Sequence, residues 1–228
     1  MSLTPASLNP TLQLQLYNGA LRECGERSLA SLTENRPPRL YLDEVWNEGI
    51  GAVNRVLDEG LWTFATRSAA IEYDPSISPP FGFLYGFGLP NDFIRTSAVC
   101  VDPYFNTPLT RYTEEAGFMF SDLMIIYVKY ISNDLGYGAN ANLWSGTFMT
   151  FFELWLAAKI AMRVTQDKAK AEGIEKKMLR ARLEARSRDC GEKPSSFLPR
   201  GSWTAARIQN YRNAWGNGDG YGSSLIGS

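Results

Sequence analysis

The chain has 228 residues, of which 44% are hydrophobic, 21% charged and 13% aromatic, an ordinary globular composition with ample length for a buried core. It contains no histidine, which excludes His-based triads, His general bases and His metal sites together. The formal net charge of -1 is unevenly spread: residues 1–150 hold 9 Lys and Arg against 16 Asp and Glu, and residues 151–228 hold 14 against 8. An acidic body with a basic C-terminal third suits directional contact with other surfaces, and is equally the pattern of a solvated helix face. Cys24, Cys100 and Cys190 are far apart and form no CxxC pair, so three reduced, mostly buried thiols are expected. The N-terminus lacks a basic start followed by a long apolar stretch, so no signal peptide is expected, and the protein is expected to fold in a cytoplasm.

Residues 1–10 read as a flexible arm. Thr11 is the expected cap of a helix whose Leu14, Tyr17, Leu21 and Cys24 share one face, with Gly25 as its stop. After a loop over residues 28–36, Pro37-Pro38 precedes a predicted helix over residues 39–59. Its inward positions are Leu42, Val45, Trp46, Gly49, Val53 and Val56, and Asp43, Glu44, Glu48, Asp58 and Glu59 make the other face acidic. From residue 61 the period changes to that of strands, predicted near residues 62–65, 69–73, 83–87, 93–101, 109–113, 117–120 and 123–130. Short connections between them predict antiparallel pairing. Aromatics at alternate positions in this block either fill a core or interface or line a ligand pocket.

The longest helical signal lies over residues 148–188. Its first part, FMTFFELWLAAKIAMRV, leaves a wide apolar surface that includes Phe151, Phe152, Leu154, Trp155, Ala158 and Met162. Glu153, Lys159 and Arg163 make a membrane span costly, so a buried helix of a soluble protein is expected. Thr165-Gln166-Asp167 offers N-cap side chains for a second, mostly charged helix with a narrow stripe of Ala171, Ile174, Met178, Ala181 and Ala185. Beyond it the chain is rich in Gly, Pro and Ser, too poor in apolar residues to fold alone, yet it holds Trp203, Arg207, Tyr211, Arg212 and Trp215 as potential anchors on a partner. The expected class is α+β: a helical domain from residues 11–60 and 133–190, an inserted β domain over 61–132, and an extended tail over 191–228.

No motif carries catalytic chemistry. Gly82, Gly86 and Gly88 form no nucleotide-binding loop, because no Lys-Ser/Thr follows them. Asp92, Asp102, Glu114, Glu115 and Asp122 sit at expected turns, which is the commoner reason for acids there. No catalytic, cofactor-binding or metal-ligating residue is therefore assigned, and the chain is not read as an enzyme.

Several stretches, taken in order, resemble the tail tubular protein A, or head-to-tail adaptor, family of short-tailed bacteriophages. They are LYNGALRECGERSLASL at residues 16–32, VLDEGLWTFA at 56–65, FGFLYGFGLPNDFIR at 81–95, KYISNDLGYGANANLW at 129–144, ELWLAAKIAMRVTQDKAKAE at 153–172 and SWTAAR at 202–207. The resemblance implies a structural virion protein of the tail with no enzymatic activity and no cofactor. It implies a dodecameric ring of identical subunits between the portal protein and the tail nozzle protein, with genomic DNA passing through the bore without sequence-specific binding. It also implies a helical part carrying an inserted β part.

On that reading Trp203, Arg207, Tyr211 and Arg212 are candidates for the portal interface. Phe83, Tyr85, Phe87 and Phe93 are candidates for the nozzle side. Asp43, Glu44 and Glu48 on the acidic helix, with Lys176, Lys177 and Arg180 on the basic one, are candidates for subunit contacts. The alternative reading is a DNA-binding module using the basic helix 167–188. Five acids are interleaved with the eight cations of residues 167–189, and the overall pI of about 5.7 also weighs against a dedicated binder.

Overall fold

The computed structural model of the protein describes residues 8–192. Trp203, Arg207, Tyr211 and Arg212 lie outside the described residues. The elements in order are helices α1 (Pro10–Cys24), α2 (Pro37–Asn47) and α3 (Ala52–Asp58), then strands β1 (Thr66–Glu72), β2 (Tyr85–Gly88), β3 (Phe93–Cys100), β4 (Tyr112–Glu115), β5 (Phe118–Ser121) and β6 (Ile125–Ser132). Helices α4 (Gly146–Thr165) and α5 (Lys168–Glu192) follow. Every described strand lies between two helical segments, so the fold is α+β with the strands as an insertion.

Local chemistry sets the helix ends. α1 is capped by Asn9, whose side chain accepts from the Thr11 N–H at 3.0 Å, rather than by Thr11. Pro10 takes the first helical position, where no N–H is needed, and so the cap lies two residues upstream of the expected one. Gly25 stops the helix in the left-handed conformation, at φ 77°. The single helix expected over residues 39–59 is instead two, because Gly49 (φ 61°) and Gly51 (φ 85°) turn the chain between α2 and α3. Gly49 is consequently exposed, not inward, and the redirected α3 buries Val53, Val56 and Leu57.

Residues 63–65, expected in a strand, form a 3-10 turn that buries Trp62, whose indole N–H donates to the Val56 carbonyl at 3.4 Å. The strand expected at residues 109–113 begins only at Tyr112; before it the Leu109 N–H donates to the Val99 carbonyl at 2.9 Å. The strands form two antiparallel sheets, ordered β1-β6-β3 and β2-β5-β4. Phe87, Leu89, Val99, Met119, Ile126, Val128 and Tyr130 are buried together between them. Alternation explains this: residues 126, 128 and 130 of β6 point one way, while 125, 127 and 129 stay partly exposed.

The larger core belongs to the helices. α4 is capped by the Ser145 hydroxyl, which accepts from the Phe148 N–H at 3.2 Å, and buries Phe148, Phe151, Phe152, Leu154, Trp155, Leu156, Ala157, Ile160 and Ala161. Met162, expected on that apolar surface, is instead 56% exposed. After Gln166 in the left-handed conformation (φ 49°), Asp167 caps α5 by accepting from the Ala169 N–H at 2.9 Å. The expected stripe of α5 does face the core, with Ile174 and Ala185 buried and Ala171, Met178 and Ala181 packed beside them. α5 continues through Gly191 to Glu192, past the point where an extended tail was expected.

Phe148 is the hub of the aromatic packing, with ring centroids 4.8 Å from Trp62, 4.9 Å from Phe64 and 5.1 Å from Trp144. Truncating it opens a cavity beneath three rings at once. Phe148→Ala is expected to lower the unfolding free energy by about 3–5 kcal/mol, read from urea denaturation of the full chain.

Candidate functional site

The acids weighed for chemistry are fixed in structural work. Asp92, in the turn between β2 and β3, receives Arg67 of β1 at 2.9 Å and the Tyr130 hydroxyl of β6 at 3.2 Å, and the Ser132 hydroxyl donates to the same carboxylate. Its backbone carbonyl accepts from the Asn133 N–H at 3.0 Å. Burial opposes the charge on Asp92, but the hydrogen bonds from Ser132 and Arg67 outweigh it and hold the carboxyl below its usual range. Asp102 accepts from the N–H groups of Asn106 and Thr107, Glu114 accepts from Thr96, and Asp122 pairs with Arg111. Among the described residues no group of three or more Cys, Asp or Glu is placed to hold a metal ion.

The nozzle-side candidates are mostly inward. Phe87 is fully buried between the sheets, and Phe93 packs on Tyr130 with centroids 5.5 Å apart. Tyr85 is half-buried against Tyr73 at 5.0 Å, and Phe83 lies under the Arg111 guanidinium at 5.9 Å. The assignment of Phe87 to a contact surface is therefore corrected: it is a core residue. The aromatic strands fill a core rather than line a pocket. A cleft of about 350 Å³ beside them is bordered by Leu89, Pro90, Ile94, Glu114 and Gly117, with Phe93 as its one aromatic.

Large apolar side chains are exposed elsewhere in the same block. Phe81 is fully exposed, Tyr104 is 81% exposed, Leu84 67% and Met124 58%, with Tyr73 and Ile125 partly exposed nearby. The register places them at one end. Glu72 of β1 pairs with Ile125 of β6, and Tyr85 of β2 and Tyr112 of β4 both pair with Ser121 of β5. The opposite strand ends carry Ile94 and Ile131, which pack into the helical core. The loops bearing Phe81, Leu84, Tyr104 and Met124 thus form an apolar tip remote from the helices. Arg111 braces it by donating to the Gly82 carbonyl at 2.8 Å while pairing with Asp122 at 3.1 Å. The alternation itself held the signal: if residues 83, 85 and 87 point inward, Leu84 points out.

The charged candidates for subunit contacts are partly used within the chain. Asp43 is half-buried between Arg39 and the Tyr17 hydroxyl, the latter donating at 3.0 Å. Burial pushes the Tyr17 hydroxyl well above its ordinary value. Glu44 pairs with Arg163 and Glu48 with Arg55, though both carboxylate side chains stay about 60% exposed. Lys177 pairs with Glu23 at 3.0 Å, and Arg182 of the basic helix pairs with Glu59 at 2.8 Å inside one chain. Lys176 and Arg180 are exposed and form no ion pair among the described residues.

Of the three thiols, Cys24 and Cys100 are buried and Cys190 is exposed, and all are free. Burial raises the Cys24 thiol to about 11, so it is protonated at neutral pH. Among the described residues no helix is long and apolar enough to cross a membrane. No model of a known protein family matches the chain, and no curated protein matches it either.

The Asp92 cluster makes a pH prediction. A carboxyl whose folded value is depressed contributes stability that is present above the unfolded value, about 3.9, and lost as pH falls through the folded one. Wild-type stability should therefore fall below about pH 4, and Asp92→Asn, though less stable at pH 7, should lack this share of the fall. Chemical denaturation at pH 7 and at a series of acidic values measures both.

Proposed function

We propose that the chain is a structural head-to-tail adaptor of a short-tailed bacteriophage, forming a dodecameric ring between portal and nozzle, with DNA passing through the bore. It folds in the host cytoplasm and ends in the virion tail. The observation that carries this reading is the arrangement of surfaces: a strand block inserted into a helical core presents an apolar tip at the end remote from the helices. That is the division into helical and β parts that the resemblance implies. A body with an apolar surface at the end remote from its main core suits attachment to a partner there.

The stretches that carry the resemblance also support it, because they hold the joints of the fold. Residues 16–32 include Asn18, which clamps Leu29 through both its backbone groups at 2.7 and 3.1 Å. Residues 56–65 include buried Trp62, and residues 81–95 include Asp92. Residues 129–144 include Tyr130 and Trp144, whose indole N–H donates to the Gly138 carbonyl at 2.9 Å. Residues 153–172 contain the turn between α4 and α5. A resemblance concentrated at such joints is one of scaffold rather than of reaction chemistry.

On this reading the nozzle-side contact is the tip of Phe81, Leu84, Tyr104 and Met124. The portal contact stays with Trp203, Arg207, Tyr211 and Arg212. The alternative DNA-binding use of residues 167–188 is weaker, since Lys170, Lys177 and Arg182 are each engaged by groups of the same chain.

Two assembly experiments test the proposal. Deleting residues 192–228 should leave a soluble protein that no longer attaches to portal-bearing heads; normal attachment would sink the portal assignment. Phe81→Ser with Leu84→Ser should leave ring formation on heads intact while nozzle addition, followed by electron microscopy, is lost.

A further inference from the structure

α5 has an apolar row on each of two opposite sides. The core row of Ala171, Ile174, Met178, Ala181 and Ala185 packs into the helical core. At about 100° per residue, positions 176, 179, 183 and 190 fall on the far side of the helix. There Leu179 is 41% and Leu183 64% exposed, one turn apart, among exposed Lys176, Arg180 and Arg186. The cations that flank the core row are engaged within the chain: Lys170 donates to the Cys24 carbonyl at 2.6 Å, Lys177 meets Glu23 and Arg182 meets Glu59. Those around the leucines are not so used among the described residues.

We propose that this outer row of α5 is the contact face for a second copy of the chain, received by the exposed face of α2 that carries Leu40, Glu44 and Glu48. The inference rests on the ring reading above and names the two faces that would close it. Charge complementarity selects this occupant. Leucines ringed by Lys176, Arg180 and Arg186 meet Leu40, 48% exposed, beside two carboxylates whose side chains are 60% and 61% exposed. Each carboxylate already holds one arginine of its own chain and has oxygen lone pairs left for a second cation. On the ring reading α5 of one copy sits on α2 of the next and not reciprocally, so the contact is heterologous and propagates from copy to copy until a ring closes.

Size sets its strength. Eleven residues of α2 span about 16 Å, and a helix is about 10 Å across, so the shorter of the two faces offers roughly 160 Å². That is under half of the roughly 800 Å² per partner that a stable pairwise contact buries. The pairwise contact is weak alone and gains when each copy is held on both sides, as in a closed ring.

The test is sedimentation velocity of the full chain at high concentration, with three proteins: wild type, Leu179→Glu/Leu183→Glu, and Glu44→Lys/Glu48→Lys. Wild type should associate with rising concentration, and each variant should associate roughly tenfold more weakly, the leucine variant with an unchanged melting curve and the glutamate variant with a slightly lower one because Arg163 and Arg55 lose their partners. A one-to-one mixture of the two variants should restore a dimer and stop there, because only one intact face of each kind remains. Leu179→Gln/Leu183→Gln, which adds no charge, should also weaken association. A leucine variant that associates like wild type, a mixture that stays monomeric, or a wild type with no self-association would overturn the inference. So would salt-sensitive duplex DNA binding that survives the leucine changes and is lost in Lys176→Glu/Arg180→Glu, which would assign the face to DNA. Leucine variants that close rings on portal-bearing heads as wild type does would remove this contact alone. Failure of the wild type to attach to heads would instead remove the adaptor reading.

Discussion

Burial of α4 on nearly all sides is the constraint that the rest of the structure depends on. Its aromatic residues are sandwiched between Trp62 and Trp144 at one end and Trp46 and Tyr17 farther along, with Trp46 stacked on Phe152 at 5.9 Å. Each large side chain so buried contributes about 1.5–3 kcal/mol relative to exposure, and α4 supplies seven of them along with Ala157 and Ala161, a large part of the apolar gain of the helical part. α1, α2 and α5 all pack on this helix, and the chain segments between them must return to it. The split between α2 and α3, made by Gly49 and Gly51, accompanies the packing of both Trp46 and Trp62 on α4.

The insertion is held by a different kind of force. Arg67, Asp92, Tyr130 and Ser132 come from β1, the β2–β3 turn and β6, and converge on one carboxylate at the end of the block nearest the helices. A half-buried charge costs free energy unless it is hydrogen-bonded, and here three donor groups, Arg67, Tyr130 and Ser132, offset that cost. At the helical end of the strands, Asp189 of α5 adds a second tie, accepting from the Thr63 N–H at 2.8 Å just ahead of β1. Both ties sit near the seam between helices and strands, and leave the distant tip free of structural duties.

That distribution bears on the proposed adaptor role. Polar anchoring and aromatic packing concentrate at the seam and around α4, while the strand tip and the outer side of α5 are among the places where large apolar side chains are exposed. Surfaces of this kind are costly to leave open and are characteristic of sites that meet other proteins. The charge asymmetry of the chain has a double origin. Part of it is consumed by internal pairs such as Arg182 with Glu59 and Arg163 with Glu44, and part remains on the outer side of α5.

By itself the sequence determined the elements whose signal is local. The 3.6-residue spacing of Ala171, Ile174, Met178, Ala181 and Ala185 was enough to pick out the core stripe of α5, Gly25 to stop α1, and short turn-separated runs to make the inserted strands antiparallel. Tertiary structure alone decided which of two alternating sets in the strand block became core. Period two separates Phe83, Tyr85 and Phe87 from Leu84, but only pairing of β5 with both β2 and β4 shows that Phe87 is enclosed and the tip is not. The same holds for Asp92, which reads as a turn acid until Arg67, Tyr130 and Ser132, 25 to 40 residues away, arrive beside it. Periodicity is a property of a segment, whereas burial and ion pairing are properties of what the segment meets; which cations of α5 stay unpaired among the described residues and which strand-block aromatics are enclosed were therefore legible only once the chain had closed on α4.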